Sequence, residues 1–328
     1  MSLVPKKVVG LGQVMLRLAC EGPLVNFSRV NVNIAGTEFN VLAALATVFN
    51  IPTSLVTSLP DHDMGQMVLR TIRGFGVQTA DVRMLPFSGT GETNRLPIFF
   101  TDELGNTVVD RANGCHPFYP ERRPWEQILE GASHLVVSGI TLALDPKENT
   151  AKLIEAMTVA KSLGCEVVFD VGYRATQWVQ HGGLPAFVKA CEPMVARCTI
   201  LTGNASMVNN KFASPVRLLQ QHAGLKTIIL SDRVEHSRTQ HDVSVTIDNR
   251  DKRGQSKSHP LALRDRIGGG DAMVGLALGA LIKGLDIQEA AELAAAALVH
   301  VSSTAGDQLY ANLSALQEIA SKNVLAKR

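Results

Sequence analysis

Near the C-terminal end of the chain, the stretch Asp265-Arg266-Ile267-Gly268-Gly269-Gly270-Asp271-Ala272-Met273 contains three consecutive glycines and leads into an apolar run, Val274 to Ile282. Glycine can adopt backbone conformations that are closed to other residues, and the small-residue apolar run predicts a buried helix. A glycine turn before a helix directs free amide N–H groups toward one point, where the helix dipole adds positive potential. The stretch therefore predicts an anion site, and a phosphate group suits it best.

Asp271 lies at the N-terminal end of this predicted helix. A carboxylate there would repel a phosphate that is merely bound, but it has a use if it accepts the proton of a hydroxyl that attacks the phosphate. The alternative is structural, since aspartate commonly caps a helix and glycine-rich stretches alone are weak signals of function. The residues by themselves leave both interpretations open.

The stretch resembles the signature of the ribokinase-like (PfkB) carbohydrate kinases, Asp-Thr-x-Gly-Ala-Gly-Asp followed by a small residue and Phe. The matching positions are Asp265, Gly268, Gly270, Asp271 and Ala272. The remaining three, Arg266, Ile267 and Gly269, are similar to the variant in the branch that includes 2-keto-3-deoxygluconate kinases. The resemblance implies that Asp271 is the catalytic base. It also implies that the amides of Gly268, Gly269 and Gly270 form an anion hole for the transferred phosphoryl group.

Composition excludes several classes of protein. Of the 328 residues, 45% are apolar and 19% are charged, with a net charge of +2 and no block of like charges. These values fit a globular chain with a large core and argue against nucleic acid or a membrane surface as the main partner. The five cysteines are scattered and lack a Cys-x-x-Cys pair, which predicts reduced thiols and a cytoplasmic location. We expect neither a signal peptide nor a membrane span.

Alternating helix and strand patterns from Trp125 onward predict an α/β fold, in which a doubly wound, mainly parallel sheet has helices on both faces. Ligands bind such sheets beyond the carboxyl ends of the strands. Polar residues follow two of the predicted strands, in Asp170–Arg174 and in Thr202–Asn204. We therefore expect a ligand site there.

Four short strand patterns outside this alternation predict a small separate sheet that covers the site as a lid. They lie around Met15–Leu18, Val30–Ile34, Asn94–Thr101 and Thr107–Arg111, the last two joined by a hairpin at Glu103-Leu104-Gly105-Asn106. The resemblance implies one ribokinase-like domain over residues 1–328, with lid excursions at about 14–35 and 93–113. It also implies a homodimer formed through the lid sheet.

Two further residues, Gly36 and Asn40, lie where another predicted helix begins, the Ala- and Leu-rich run from Val41 to Phe49. Polar residues in a first helical turn commonly cap the helix. The resemblance gives these positions another role, because a Gly-Gly-x-x-x-Asn stretch binds sugar hydroxyls in the family. Gly36 and Asn40 match that stretch, whereas Ala35 replaces its first glycine.

Two arginines, Arg111 and Arg174, bear on the kind of sugar. The stretch from Asp170 to Trp178 resembles Asp-x-Asn-Tyr-Arg-x-x-x-Trp of the keto-deoxygluconate kinase branch, with Gly172 in place of Asn. The resemblance implies that both arginines contact a sugar acid, including its carboxylate, for which guanidinium groups are well suited. The alternative is a pair of ordinary surface or ion-pairing arginines.

The sequence motifs for nucleotide binding are less complete than those for the sugar. The chain has no Walker motif and no protein-kinase signature, so a phosphate site depends on the glycines. The resemblance assigns Asn204 and Asp265 to the binding of ATP and Mg²⁺, but Met207 occupies the acidic position of the family's Asn-x-x-Glu stretch. A thioether cannot orient a metal-bound water, and the metal ligands stay unassigned.

Three other patterns receive the simpler interpretation. Gly10-x-Gly12 begins like a dinucleotide-binding motif, but strand-like sequence follows where a helix is required. Asp61-His62-Asp63 predicts a polar turn with a helix cap and not a metal site. Asp248 to His259 is polar and predicts a solvated loop.

The sequence thus predicts an ATP- and Mg²⁺-dependent kinase for a small sugar or keto-sugar acid. A second hypothesis stays open: a non-catalytic relative that senses a sugar or nucleotide. Met207 favours the second hypothesis, whereas the complete stretch from Gly268 to Asp271 favours the first.

Overall fold

The computed structural model describes residues 6–87, 93–102, 105–118 and 123–321. Its strands are β1 Lys7–Leu11, β2 Met15–Glu21, β3 Arg29–Ala35, β4 Thr53–Pro60, β5 Val77–Gln78, β6 Val82–Leu85, β7 Ile98–Thr101, β8 Thr107–Asp110, β9 Ala132–Ser138, β10 Glu166–Asp170, β11 Ile200–Asn204, β12 Thr227–Glu235, β13 Gln240–Asn249, β14 Arg253–Gln255 and β15 His259–Ala262. Its α-helices are α1 Thr37–Phe49, α2 Asp63–Gly74, α3 Trp125–Ile128, α4 Gly139–Leu142, α5 Pro146–Ser162, α6 Ala175–Trp178, α7 Gly183–Val195, α8 Ala205–Lys211, α9 Pro215–Gln221, α10 Gly269–Ile282, α11 Ile287–Ser302 and α12 Leu313–Ser321.

An 11-stranded sheet forms the body, in the order β14-β13-β12-β11-β10-β9-β1-β4-β5, with β15 beside β13 and β6 beside β4. The strands from β12 to β5 pair in parallel, whereas β13 is antiparallel to β12, β14 and β15. The mainly parallel sheet expected from the sequence is confirmed. Strand β2 directly follows β1, so the first two glycines do not begin a dinucleotide-binding helix.

The sheet separates two apolar cores. Helices α1, α2, α10 and α11 pack on one face and α3, α5, α7 and α9 on the other. Along β10, Val168 faces the first core, while Val167 and Phe169 face the second, as the two-residue period of a strand requires. The sheet is therefore doubly wound. Within the described ranges we find no helix whose length and apolar content would let it cross a bilayer.

A second, four-stranded sheet has the order β3-β2-β7-β8, and we call it the lid sheet. Its strands β2 and β7 are parallel, and the outer pairs are antiparallel. Strand β7 begins at Ile98 and not at Asn94, since Asn94 has a left-handed φ of 57°. Gly105, with φ of 78°, is in the predicted hairpin, whereas Glu103 and Leu104 lie outside the described residues.

The structure tests the interpretations of two polar segments, residues 61–63 and 248–259. His62 caps α2 by accepting a hydrogen bond from the Gly65 amide at 3.3 Å, so the predicted polar turn is confirmed. The solvated loop predicted from Asp248 to His259 is wrong, because these residues complete β13, form β14 and begin β15. The His259 side chain is buried, 3.3 Å from Glu292 on α11. Polar composition did not reveal these specific contacts.

Helices α1 and α10 pack closely on each other because α10 has glycines at the contact. A methyl group on Gly275 would lie 2.8 Å from the Ala44 side chain, and one on Gly279 would overlap the ring of Phe49. The separation of two helices depends on the side chains between them. The absence of side chains here brings the N-terminal ends of both helices to one place.

Gly279→Ala should lower the free energy of unfolding by about 1–3 kcal/mol, the usual result of overpacking. The added methyl group would meet Phe49, which is itself buried and 6% exposed. Gly74→Ala, at the end of α2, is the matched control, since nothing lies within 4 Å of its Cβ position. It should be neutral or stabilising by up to about 1 kcal/mol. Similar losses for both variants in urea unfolding would contradict the packing argument.

Candidate active site

A cavity of about 730 Å³ lies where the two sheets face each other, a volume suited to small ligands. The carboxyl ends of β10 and β11, the N-terminal ends of α1 and α10, and the inner face of the lid sheet enclose it. Their lining residues include Asp170, Gly203, Gly36, Asp271 and Phe99. The polar residues after β10 and β11 are thus at the edge of the sheet where the sequence predicted a ligand.

Residues 265–270, which we call the glycine loop, lead into α10. Gly268 precedes the helix with φ of 83°, a conformation that favours glycine, and a side chain there would overlap the carbonyl of Asp307. A side chain on Gly269 would overlap Ser302 of α11, whereas the Cβ position of Gly270 is open. Gly268 and Gly270 border the cavity, and Gly269 lets α10 pack on α11. The amides of the first turn have no acceptor within the helix, so they suit an anion.

Asp271, in that first turn, is held by a side-chain relay. Asn40 Nδ2 donates to Asp271 Oδ2 at 2.7 Å, and Asn40 Oδ1 accepts from Gln308 Nε2 at 2.9 Å. Among the described residues no donor contacts Asp271 Oδ1, and this oxygen is available to a ligand. Sequence reasoning selected Asn40 and missed Gln308, which has no local motif.

Burial raises the pKa values of several carboxyl groups of the cavity, among them those of Asp271, Glu38 and Asp170. Burial raises the pKa of Asp271 to about 8, the Asn40 hydrogen bond and Arg174 lower it, and the charges of Asp170 and Glu38 raise it. Burial likewise raises the pKa of Glu38 to about 7 and that of Asp170 above its ordinary value. Such groups can take up and release protons near neutral pH, a frequent property of active sites.

Glu38 and Asp170 are also fixed by hydroxyl groups. Glu38 Oε1 accepts hydrogen bonds from Ser138 Oγ at 2.6 Å and from Thr141 Oγ1 at 3.0 Å. Asp170 Oδ1 accepts one from Thr202 Oγ1 at 2.8 Å. Glu38 belongs to the stretch that begins α1, but no motif in the sequence indicates that it is a site residue. Both carboxyl groups border the cavity, as do the predicted site residues Gly36 and Asn40.

Arg111 and Arg174 come together in the same wall. Arg111 directly follows β8, and Arg174 lies in the loop between β10 and α6. Burial lowers the pKa of Arg111 to about 10, and the positive charge of Arg174 contributes to this decrease. Within the described ranges no carboxylate lies within 4.0 Å of either guanidinium. Gln177 faces Arg111, and its amide oxygen, when turned toward the guanidinium, lies 2.7 Å from Nη2. An anionic ligand group would relieve the repulsion between the two arginines.

Other cavity residues suit the binding of phosphate groups. Asn204 caps α8 by accepting from the Met207 amide at 3.3 Å, and both residues border the cavity. Three cationic side chains that the sequence analysis did not select also border it: Lys211, Arg233 and Arg266. Burial and the charge of Arg266 lower the pKa of Arg233. The described residues contain no group of three or more His, Cys, Asp or Glu side chains arranged to hold a metal ion.

Asp265 differs from the other predicted site residues, because it does not border this cavity. Its carboxylate lies behind the glycine loop, 2.7 Å from the guanidinium of Arg17. A direct contact between Asp265 and a nucleotide stays a prediction. The structure thus gathers Gly36, Asn40, Arg111, Arg174, Asn204 and Asp271 around one cavity, with Gly268 and Gly270.

Comparisons with known proteins bear on this site. Residues 6–309 match the model of the pfkB family carbohydrate kinases. A 2-dehydro-3-deoxygalactonokinase of Haloferax volcanii is 25% identical over 319 residues, which are 92% of each chain. The crystal structure of 2-dehydro-3-deoxygluconokinase from Thermotoga maritima superimposes with a TM-score of 0.85 and 27% identity, covering 97% of this chain and 100% of that one.

A structure described as a putative ribokinase II from E. coli in complex with ATP and Mg²⁺ superimposes with a TM-score of 0.79. It is 15% identical and covers 96% of this chain and 98% of that one, so its likeness concerns the fold alone. These relatives confirm the ribokinase-like fold, with a small sheet as a lid. The range that the family model matches, residues 6–309, spans nearly the whole described chain. The chain therefore belongs to the pfkB family and is an ATP-dependent carbohydrate kinase.

Proposed function

We propose that the protein transfers the γ-phosphoryl group of ATP to a hydroxyl of a small keto-sugar acid resembling 2-keto-3-deoxygluconate. The observation that supports this most is the arrangement of Asp271, held by Asn40 beside the free amides of α10, in one cavity with Arg111 and Arg174. The names of the relatives in Haloferax volcanii and Thermotoga maritima agree with a sugar acid of this class.

Asp271 is the proposed general base. Its Oδ2 accepts from Asn40, which leaves Oδ1 to accept the proton of the attacking hydroxyl. The alcohol oxygen then forms a bond to the γ-phosphorus as the bond to the leaving ADP oxygen breaks. The amides at Gly268–Gly270 stabilise the charge on the transferred group through hydrogen bonds and the helix dipole.

The donor phosphates would lie near Lys211, Arg233 and Arg266. A triphosphate needs positive charge around it, and these three side chains supply that charge. Because position 207 is a methionine and not an acid, it adds no negative charge beside them. Arg266 has a weak partner, Glu235, at 3.7 Å. We propose that Asn204 and Asp265 both contribute to nucleotide binding. Asn204 would do so directly, from the cavity wall, and Asp265 indirectly, through the shape of the glycine loop.

Mg²⁺ would reach the site together with the nucleotide. The described residues have no cluster of metal-binding side chains, but Mg²⁺ commonly uses phosphate oxygens and waters with few protein ligands. Asp307 is suited to such contact, since it borders the cavity and its Oδ2 has no hydrogen-bond partner among the described residues. When bound, the ion would neutralise charge on the phosphates.

The acceptor is proposed to be an acid because of Arg111 and Arg174. Two neighbouring guanidinium groups with no carboxylate partner in the described part of the chain form a favourable place for a ligand carboxylate. Gly36, Asn40 and the carboxyl groups of Glu38 and Asp170 can contact hydroxyl groups on the rest of the molecule. A neutral sugar would leave both guanidinium groups without an anionic partner among the residues that the structure describes.

The second candidate is a non-catalytic sensor of a sugar or nucleotide. The observation that favours it is Met207, which borders the cavity where an acid is usual in the family. Turnover of a sugar or sugar acid by the wild-type protein separates the two candidates directly.

We also propose that the protein is a cytoplasmic homodimer joined through the lid sheets. Val32, Leu18, Phe100 and Val108 are paired in register across all four strands, on the face away from the cavity. Val32 and Val108 are 54% and 56% exposed, and an exposed apolar stripe is typical of an interface. All five cysteines are free and buried, in agreement with a reducing compartment.

Asp271→Asn should lower kcat at least about a hundredfold, because an amide cannot accept the proton of the hydroxyl. The affinity for the sugar acid should stay near the wild-type value. A coupled assay of ADP release and calorimetric titration measure the two quantities. Asp63→Asn changes an exposed acid in the first turn of α2 and should retain kcat.

The pH dependence gives an independent check on the same residue. The base must be deprotonated, and burial raises the pKa of Asp271 to about 8. The wild-type kcat/KM should therefore decrease as the pH falls below about 8 and level off above it. An acidic limb in the ordinary carboxyl range would contradict the raised pKa of Asp271. Full turnover by Asp271→Asn would exclude Asp271 as the base.

Arg111→Ala and Arg174→Ala should each raise the KM for 2-keto-3-deoxygluconate roughly ten- to a hundredfold, the loss of one charge-assisted hydrogen bond. The KM for a neutral hexose should change much less. Arg70→Ala, which removes an exposed arginine of α2, should change neither value. Equal losses on acid and neutral sugars would reject carboxylate recognition and leave the acceptor as an unspecified sugar.

Val108→Lys should convert the proposed dimer to a monomer, because it introduces a charge into the apolar stripe. Val216→Lys, at a residue of α9 that is 62% exposed, should leave the mass unchanged. Sedimentation velocity of the three proteins measures the association state. A monomeric wild type, or a dimeric Val108→Lys variant, would exclude the lid interface.

A further inference from the structure

The Arg17 side chain extends from the inner face of β2 into the interior, where it meets two segments of the α/β body. Its Nη1 lies 2.6 Å from Asp307 Oδ1, and its Nη2 lies 2.7 Å from Asp265 Oδ2. The side chains are 5% exposed for Arg17, 0% for Asp307 and 10% for Asp265. The planar guanidinium therefore joins the two segments at a defined distance and angle.

Asp265, the first residue of the glycine loop, also shapes that loop. Its Oδ1 accepts hydrogen bonds from Arg17 Nη2 at 2.9 Å and from the Ile267 amide at 3.0 Å. The amides of Arg264 and Asp265 donate to the carbonyl of Ser302 at 2.9 Å and 3.1 Å. A lid side chain and the end of α11 together fix the start of the glycine loop.

Asp307 belongs to the turn after α11, residues 303–308, which supports the end of the glycine loop. Its carbonyl lies against Gly268, where no side chain would fit. The next residue, Gln308, donates to Asn40, which donates to Asp271. Movement of this turn would displace both the anion hole and the proposed base.

The guanidinium also balances charge behind the phosphate site. Burial raises the pKa of Asp307 to about 6, Arg17 lowers it, and Asp265 raises it. Although burial opposes its charge, the two carboxylates raise the pKa of Arg17 above the ordinary value. Arg17 thus stays charged, and it reduces the repulsion between these carboxylates and a bound phosphate.

The same residue connects the glycine loop with the lid sheet. Arg17 Nε donates to Thr101 Oγ1 on β7 at 3.0 Å. On the same face, Met15, Ala35 and Phe99 form an apolar cluster against which Ile267 packs. The lid sheet therefore holds the glycine loop by polar and apolar contacts together.

We propose that Arg17 is a positioning residue for phosphoryl transfer, which holds the glycine loop and the turn 303–308 in the geometry of the anion hole and couples that geometry to the lid sheet. Arg17 does not border the active-site cavity, so it acts through Asp265 and Asp307. The inference rests on the proposed kinase function of this site.

Arg17→Lys tests the role, since lysine keeps the charge and loses the planar fork. The expected decrease in kcat is about 10- to 100-fold, the scale of a misplacement of about 1 Å, whereas the KM for the sugar acid should change less than about threefold. Arg17→Met should lower kcat further, because it also removes the charge.

Arg123→Lys is the matched control. Arg123 is 4% exposed and donates to the carbonyls of Pro117 and Thr57, but it is outside the active site. Its replacement should lower the melting temperature and leave kcat unchanged at a temperature where all variants are folded. A merely structural role of Arg17 would give the same pattern as Arg123→Lys.

ATP titration by calorimetry separates failure of this inference from failure of the proposed function. A wild-type protein that binds no ATP overturns both. If it binds ATP, Arg17→Lys should bind about tenfold more weakly, and unchanged ATP affinity with wild-type kcat overturns the inference alone. Should the Arg17 variants not fold, Asp265→Asn keeps the shape of a side chain that pairs with Arg17 and does not border the cavity, and it should show the same selective loss of kcat. Wild-type kcat in that variant would also overturn the inference.

Discussion

The close approach of α1 and α10 is the constraint on which the active site depends. Without side chains at Gly275 and Gly279, the helices pack in direct contact, and their first turns meet through the hydrogen bond from Asn40 to Asp271. That bond joins residues 231 positions apart in the chain. The orientation of the proposed base is thus a result of core packing, which is far more rigid than a loop.

Charge is arranged around this meeting point in three groups. The charges of Asp170 and Glu38 raise the pKa of Asp271, and the charge of Asp170 raises the pKa of Glu38. Arg111 and Arg174 form one cationic pair, and Arg233 and Arg266 form another. Each cationic pair is unfavourable by itself, and an anionic ligand group would relieve each. This pattern agrees with a reaction in which an acid accepts a phosphoryl group from a nucleotide.

Local patterns predicted the parts of the structure that local forces determine. The alternation of helices and strands, the glycine turn before α10 and the lid strands all have short-range signals in the sequence. The contacts of Arg17 with Asp307 and Asp265 join residues 290 and 248 positions apart, and no local pattern indicates them. The prediction of a solvated loop from Asp248 to His259 was wrong for the same reason. Its polar groups make distant contacts with Glu292 of α11, which composition does not indicate. Gln308 was missed because its partners, Ile34 and Asn40, lie at the other end of the chain.

The placement of Arg111 and Arg174 has an evolutionary consequence. Both lie in connecting segments at the cavity wall, one after β8 and one after β10, whereas the glycines and Asp271 belong to a helix buried along most of its length. Substitutions in connecting segments usually have small effects on folding. Under the proposed function, acceptor preference in this scaffold can therefore diverge between lineages through a few tolerated replacements, while core packing constrains the glycines and Asp271.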